Sequence, residues 1–161
     1  VDTSPLIAFA HLDLLSVLPA LYGRVLVPEG VRVEALAGPE GRSDIPLIRA
    51  ALETDSFEIR LVTGARSSLA IDTRLGRGES EVIALAMETI GAVAVVDDMA
   101  ARRIAVGLDL PVIGTLGVLA EARRQGLVPA LVPLIEKLVT RHFHVPRGVL
   151  EYARRIDLAE P

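Results

Sequence analysis

Two adjacent carboxylates follow an apolar run in the middle of the chain. Asp97 and Asp98 end a β-branched stretch that begins at Gly91, and a helical pattern from Met99 to Val106 comes directly after them. A run that is apolar on both faces is typical of a strand inside a parallel sheet that helices cover. Ligands of such sheets bind beyond the carboxyl ends of the strands, so we expect both aspartates at that edge.

Three further acids are predicted near the same edge. Asp2 ends a first strand of which Val1 alone is present, and because the chain begins without methionine we expect a few strand residues upstream. Glu34 lies in an early turn of one predicted helix, and Glu79 lies in the first turn of the helix that leads into the apolar run. Two charges about 4 Å apart repel by roughly 4 kcal/mol near a protein surface. Such a cluster therefore indicates a divalent cation, a raised pKa or a bound partner.

The ligand chemistry of this set favours a hard cation. Carboxylate oxygens suit Mg²⁺ or Mn²⁺, and the chain has no cysteine and no histidine spacing typical of zinc. Ions of this kind activate water for attack on a phosphodiester and stabilise the leaving oxygen.

Strands and helices alternate along the chain and must position these acids. Besides the strand that ends at Asp2, strand-like runs lie at Arg24–Val27, Phe57–Val62, Gly91–Val96 and Pro111–Gly114. Helices are predicted from Ser4, with Ser4 as the N-cap and Pro5 at the first helical position, and at Leu14–Tyr22, Pro28–Leu36, Ile45–Thr54, Ser67–Leu75, Gly78–Glu88, Thr115–Gln125, Leu131–His142 and Arg147–Leu158. The alternation predicts one α/β domain over residues 1–161, a three-layer α/β/α fold with a mainly parallel sheet of about five strands.

Composition narrows the class of protein. The chain has 161 residues, of which 51% are hydrophobic, so we expect a substantial core. The absence of cysteine excludes disulfides, and no apolar run reaches the roughly 20 residues of a membrane span. No signal peptide is visible, and we expect a cytoplasmic protein without a membrane partner. The net charge of −4 argues against a general polyanion surface, although paired arginines leave local ones open.

Four segments in order resemble the PIN domain: Asp2–Ile7, Gly78–Ala86, Val95–Arg103 and Ile113–Leu119. They look most like a prokaryotic branch of predicted nucleic-acid-binding proteins related to VapC toxins. The resemblance runs from residue 1 to about residue 127 and continues weakly into the helices predicted within 131–158. It implies a ribonuclease that cleaves single-stranded RNA with Mg²⁺ or Mn²⁺, is often a homodimer and is often inhibited by a small antitoxin protein.

The resemblance assigns a role to each acid. Asp2 matches the aspartate of the first strand, Glu34 the acid of the early helix, and Glu79 the acid that opens the third segment, where toxins more often carry Asp. Asp98 matches the acid after the fourth strand, with Asp97 beside it. The implied metal ligands are Asp2, Glu79 and Asp98. Glu34 and Asp97 are implied as further ligands or as residues that orient water.

Residues near the acids add candidate contacts to RNA, and one of them departs from the pattern of the family. Many toxins carry Thr two residues before the last acid, whereas Val96 precedes the aspartate pair here, so both aspartates remain candidate ligands. Arg102 and Arg103 follow the acids and are candidates for binding phosphates of an RNA strand. Thr115, predicted as a helix N-cap near the same edge, is a third candidate for the nucleic-acid surface.

Several alternatives remain open at this stage. Asp2, Glu79 and one residue of the aspartate pair could instead stabilise helix starts, and Glu81 is expected to be solvated. The histidines are expected to have ordinary surface or packing roles. A PIN-like module that binds nucleic acid or an antitoxin without cleavage is the main functional alternative. A phosphatase of the haloacid-dehalogenase type is disfavoured because Ser4 stands where that family needs a second aspartate.

Overall fold

A computed structural model describes residues 1–38, 41–62, 75–146 and 148–158. The strands are β1 (Val25–Pro28), β2 (Phe57–Arg60), β3 (Ala94–Val95) and β4 (Val112–Ile113). The helices are α1 (Thr3–Leu12), α2 (Val17–Tyr22), α3 (Glu29–Leu36), α4 (Asp44–Leu52), α5 (Arg77–Glu88), α6 (Met99–Gly107), α7 (Thr115–Arg124), α8 (Val132–Thr140) and α9 (Val149–Leu158). The predicted α/β class is confirmed, while the predicted helix at Ser67–Leu75 lies almost entirely outside the described residues.

The strands form two small parallel sheets. β1 pairs with β2, with Val25 opposite Phe57, and β3 pairs with β4, with Ala94 opposite Val112. One sheet of about five strands is therefore not confirmed, since the described residues form two ladders of two strands each. The start of the chain is hydrogen bonded to both: the amino group of residue 1 donates to the Leu26 carbonyl at 2.9 Å. The next N–H donates to the carbonyl of residue 95 at 3.0 Å. Residues 1 and 2 thus lie between β1 and β3.

Helix α1 is apolar on nearly all sides and lies inside the protein. Leu6 and Phe9 are fully buried, and Ala8 and Ala10 are nearly so. A helix that is apolar all round must be enclosed, and α1 packs against α3, α4, α7 and α8. Burial of a side chain as large as Phe9 stabilises the fold by about 1.5–3 kcal/mol. This packing fixes the orientation of the first turn of α1, which follows Asp2.

The start of α1 differs from the prediction by one or two residues. The helix begins at Thr3, and Asp2 occupies the N-cap position without a side-chain cap hydrogen bond. Ser4 therefore lies inside the first turn with an exposed side chain, and Pro5 follows it there. The prediction of Ser4 as the N-cap is wrong because the strand-to-helix bend comes earlier than the proline rule places it.

Four helices end in the same way, with a residue of positive φ and two characteristic hydrogen bonds. At the end of α8, the His142 N–H donates to the Val139 carbonyl and the Phe143 N–H to the Leu138 carbonyl. This pair of bonds is the Schellman motif, whose left-handed residue is usually glycine. The left-handed residues that end α1, α6, α7 and α8 are Asp13, Asp109, Gly126 and His142.

Helix α9 caps helix α8. The Asp157 carboxylate accepts hydrogen bonds from the backbone N–H groups of Leu131, at 2.8 Å and 2.9 Å, and of Val132, at 2.9 Å. It also pairs with Arg123 of α7 at 3.4 Å. Burial raises the pKa of Asp157, but the two N–H groups and the guanidinium outweigh it, so the pKa lies below its usual value. The last helix is thus tied to α7 and α8 by one carboxylate.

None of the helices described for this chain is long and apolar enough to cross a membrane.

Candidate active site

Asp2 is nearly inaccessible and lies among other carboxylates. Only 3% of the residue is exposed. Burial raises the pKa of Asp2 to about 7 from an ordinary 3.8, and Glu79 and Glu34 act in the same direction, partly offset by the Thr3 backbone N–H. A buried carboxylate beside two others is stabilised by a proton or by a cation. Three of the five predicted acids therefore come together at the carboxyl end of the sheets.

Gly78 makes the close approach of these acids sterically feasible. A Cβ atom at this position of α5 would lie 2.8 Å from Oε2 of Glu34 and 3.4 Å from Oδ1 of Asp2. Glycine inside a helix costs stability relative to alanine, so a compensating reason is expected. The space that Gly78 leaves is occupied by two carboxylate ends. Gly78 is thus part of the site, although the sequence predicted it only as the start of a helix.

Glu34 is held at the site by Thr3. The Thr3 hydroxyl donates to Oε2 of Glu34 at 3.1 Å, and Thr3 is only 7% exposed. Glu34 itself is largely exposed on α3. A long, solvated side chain with one fixed oxygen can move its carboxylate over a short distance, which suits a ligand or a residue that orients water.

Asp97 is engaged by the start of α7. The Thr115 N–H donates to Oδ1 of Asp97 at 2.8 Å, and the Thr115 hydroxyl donates to Oδ2 at 2.6 Å. Both carboxylate oxygens thus have a donor from the same residue. A Cβ atom at Gly114 would lie 2.9 Å from Oδ1 of Asp97 and 2.6 Å from Nη1 of Arg102, so all three residues share one small space. Asp97, which follows β3, is thus bonded to the first residue of α7.

Asp98 has a different local role. It is the N-cap of α6, and its Oδ1 accepts hydrogen bonds from the N–H groups of Ala100 and Ala101, both at 2.8 Å. The cap uses Oδ1 alone, and the residue is exposed. Of the aspartate pair, Asp98 is therefore the cap that the sequence predicted for one of the two.

An open pocket of about 500 Å³ connects these groups. Its acidic wall is formed by Glu79, Asp97 and Asp98, with Arg102 and Ser4 beside them. Glu79 thus belongs both to this pocket and to the surroundings of Asp2, which makes it the link between the two halves of the site. The pocket has the size of a small-ligand site and opens to solvent.

A second cavity, of about 400 Å³, lies at the opposite, amino ends of β1 and β3. Apolar residues such as Val25 and Leu85 supply most of its lining, and no cluster of carboxylates faces it. Among the residues that the structure describes, the acidic pocket is therefore the better candidate for chemistry, although the apolar cavity is the more enclosed.

Two predicted nucleic-acid contacts lie away from the pocket wall. Thr115 is fully buried, and its hydroxyl is used by Asp97, so it has no surface with which to contact RNA. Its contribution is instead to hold a carboxylate. Arg103 is exposed on α6 and does not line the pocket, whereas Arg102, the other predicted contact, does.

The sequence missed two groups near the site. Glu81 was expected to be solvated, but it accepts a hydrogen bond from the Gly30 N–H at 2.6 Å and pairs with Arg77 at 2.7 Å, which ties α5 to α3. His142 and His144 also line the acidic pocket. The spacing of residues in the sequence could not reveal these contacts. Glu81 meets Gly30 only because α5 packs against α3, and the histidines reach the pocket only through the packing of α8.

The arrangement fits a cation, although the side chains do not yet enclose one. Within the described ranges, no three residues of the types His, Cys, Asp and Glu are grouped closely enough to hold a metal ion. Mutual repulsion keeps unneutralised carboxylates apart, and both glutamates have side chains long enough to move. The donor set of carboxylate oxygens is the chemistry that Mg²⁺ and Mn²⁺ prefer.

Comparisons with known proteins identify the family of the chain. No curated protein and no solved structure gave a match. A family model described as a PIN domain matches residues 1–159, which is nearly the whole chain. The chain therefore belongs to the PIN domain family.

Proposed function

We propose that this protein is a metal-dependent ribonuclease that hydrolyses phosphodiesters of single-stranded RNA. The observation that carries the proposal is the convergence of Asp2, Glu34 and Glu79, with a pKa of about 7 at the buried aspartate. Carboxylates whose pKa is raised by burial and by neighbouring acids cluster at functional sites, so this arrangement supports a functional role. Membership of the PIN family, in which the fold is of nuclease type, supports the same chemistry.

In this proposal Asp2, Glu79 and Asp98 hold Mg²⁺ or Mn²⁺, and Glu34 and Asp97 orient water. The capping oxygen of Asp98 is Oδ1, so Oδ2 is the atom that would face a cation. The bound cation would activate the attacking water and stabilise the leaving oxygen of the phosphodiester. Asp2 would have to give up its proton to act as a ligand, because a metal ligand must be the ionised carboxylate.

Arg102 and Thr115 complete the proposed roles. Arg102 reaches the pocket beside Asp97 and supplies a guanidinium for a phosphate of the strand. Thr115 fixes Asp97 through its N–H and its hydroxyl, which is a positioning role. Val96 has no hydroxyl at the position where many toxins carry Thr. The Thr115 hydroxyl, from the start of α7, lies beside Asp97 instead.

The test combines metal binding with RNA cleavage. Calorimetric titration with Mn²⁺ should show saturable binding to the parent that is lost in Asp2→Asn and Asp98→Asn. Asp109→Asn, which changes an exposed aspartate of positive φ at the end of α6, is the matched control and should bind like the parent. The proposal fails if folded Asp2→Asn and Asp98→Asn proteins cleave single-stranded RNA as fast as the parent.

A non-catalytic module that binds nucleic acid or an antitoxin is the alternative. It is favoured by one observation: both oxygens of Asp97 and one oxygen of Asp98 already accept hydrogen bonds, so the β3 end of the site has few oxygens to offer a cation. RNA binding by the parent without Mn²⁺ binding, and without cleavage in any divalent ion, would support this alternative.

The relation to VapC toxins is a further proposal. It includes a cytoplasmic location, a homodimer and a small antitoxin partner, and it is supported by the match to the PIN family together with the order of the four motifs. A short reading frame beside the gene, whose product co-purifies with this chain and suppresses cleavage, would support the toxin role. Cleavage that no neighbouring gene product inhibits would argue for a free-standing nuclease.

The proposal also includes one continuous parallel sheet. Residues 1 and 2 are hydrogen bonded to Leu26 on one side and to Val95 on the other, which supports the order β2, β1, the first strand, β3, β4. In that order Asp2 stands at the central strand. Hydrogen exchange that protects the Asp2 and Val96 amides to the same extent would agree with a continuous ladder.

A further inference from the structure

The segment after α8 forms one wall of the acidic pocket. His142, Phe143 and His144 all line this pocket, together with Glu79 and Asp98. The segment is firmly held, because two backbone hydrogen bonds close the end of α8 and the Phe143 ring packs against the core. Both histidines are exposed, so their rings are accessible to a ligand in the pocket.

His142 occupies a position that glycine ordinarily fills. Its φ is 62°, in the left-handed region that is unfavourable for a residue with a Cβ atom. Asp13 and Asp109 have the same conformation at the ends of α1 and α6, so the conformation alone marks no site. His142 differs from both because its side chain lines the pocket, which neither aspartate does. The chain therefore keeps an imidazole here at the expense of stability.

The charge of the pocket explains what these imidazoles can do. Three carboxylates line the pocket and repel a phosphodiester, and the whole chain carries a net charge of −4. An RNA strand at this pocket therefore needs hydrogen-bond donors from its other lining residues. Each imidazole has a ring N–H at any pH and carries a positive charge when protonated, so it can donate to a phosphate oxygen in either state. Arg102 supplies a further donor from the side of α6.

We propose that His142 and His144 bind the phosphodiester backbone of single-stranded RNA at the acidic pocket. The inference rests on the proposed function for the identity of the ligand. It goes beyond that function by naming the segment after α8, which lines the pocket together with the carboxylates, as the part that holds the strand. The two rings flank an anchored Phe143, so they present their donors from a fixed backbone and little ordering is needed on binding.

The experiment measures RNA binding without metal. A short fluorescein-labelled single-stranded RNA is titrated with the parent, His144→Ala, His142→Gly and Asp109→Gly, at low salt with EDTA, and anisotropy is recorded. EDTA removes both cleavage and any bridging cation, so the result does not depend on nuclease activity. We expect each histidine variant to weaken binding about tenfold, the effect of losing one charge-assisted hydrogen bond. Asp109→Gly should bind within about twofold of the parent.

The two glycine variants separate binding from folding. Both remove the same left-handed strain, so both should raise Tm by about 3 °C. His142→Gly should then be a more stable protein that binds RNA less well, which a merely structural role cannot produce.

Three results overturn the inference. They are unchanged RNA affinity in both histidine variants, an equal loss of affinity in Asp109→Gly, and no RNA binding by the folded parent. If the parent cleaves RNA with Mn²⁺ while the histidine variants bind like the parent, this inference fails and the proposed nuclease stands. If binding depends on the histidines but no divalent ion supports cleavage, the nuclease proposal fails and this inference stands.

Discussion

Replacing Asp2 by Asn removes one negative charge from a position that is only 3% exposed. Asparagine has nearly the same shape, so packing around the start of α1 should be retained. What changes is the ionisation of the site. The folded protein holds a proton on Asp2 up to a pKa of about 7, whereas the unfolded chain loses it near the ordinary 3.8. Between these pH values the folded state binds the extra proton, so stability falls as pH rises.

The magnitude follows from this difference in pKa. One pKa unit corresponds to about 1.4 kcal/mol, so the whole window represents about 4 kcal/mol of unfolding free energy. Between about pH 5 and about pH 8, this aspartate alone should lower the stability of the metal-free parent by about 3 kcal/mol. The Asp2→Asn variant lacks this contribution and should be the more stable protein at the higher pH.

The assay is urea unfolding of metal-free protein across this pH range, with the parent and Asp2→Asn compared at each pH. The control is Asp109→Asn, which should follow the parent. Addition of Mn²⁺ at 100 times its Kd should raise the stability of the parent by about 2.7 kcal/mol and leave Asp2→Asn unchanged. If the unfolding free energies of the parent and Asp2→Asn change with pH in parallel, the surroundings of Asp2 do not raise its pKa. The inference that three carboxylates converge at Asp2 would then be wrong.

Three smaller perturbations test the neighbours of the site. Gly78→Ala should lower Mn²⁺ affinity about tenfold in calorimetry by crowding the carboxylates, whereas Gly107→Ala, which meets no atom within 4 Å, should not. Thr115→Val leaves one carboxylate oxygen without its donor and should cost about 1–2 kcal/mol in urea unfolding; an unchanged midpoint would contradict the positioning role. Asp157→Asn should lower the free energy of unfolding in urea by about 1–3 kcal/mol. The difference from the parent should shrink at acid pH, where Asp157 of the parent becomes protonated. Glu151→Gln, which changes an exposed ion pair, is the control and should have little effect.

The parts of the site that follow from local rules could be predicted from the sequence. An apolar run predicts a buried strand, and the carboxyl end of that strand places the aspartate pair. The same rule places Asp2, and the first turn of α5 places Glu79. These rules depend on chain direction and periodicity alone. They identify the edge at which acids gather but not the distances between them.

The remaining parts depend on contacts between distant segments. The Thr115 hydroxyl meets Asp97 only because β4 lies beside β3, and Glu81 meets the Gly30 N–H only because α5 packs on α3. His142 was predicted as the last residue of a helix and given an ordinary surface or packing role, because its place in the pocket depends on how α8 packs and not on its spacing in the sequence. The predicted single sheet of about five strands was not confirmed: the described residues form two ladders of two strands, and residues 1 and 2 are hydrogen bonded to one strand of each.

The carboxylate that caps α8 from α9 links the folding of the chain end to the pocket. Asp157 accepts hydrogen bonds from the first N–H groups of α8, and His142 and His144, which line the acidic pocket, follow the other end of this helix. If α9 detaches, α8 loses its cap, so both helices should open together and exchange their amide hydrogens as one unit. During synthesis Asp157 is made after α8, so the segment that carries His142 and His144 can be secured only after every residue that lines the acidic pocket has been made. Because α1 packs against α8, the surroundings of Asp2 are likewise complete only when the end of the chain has folded.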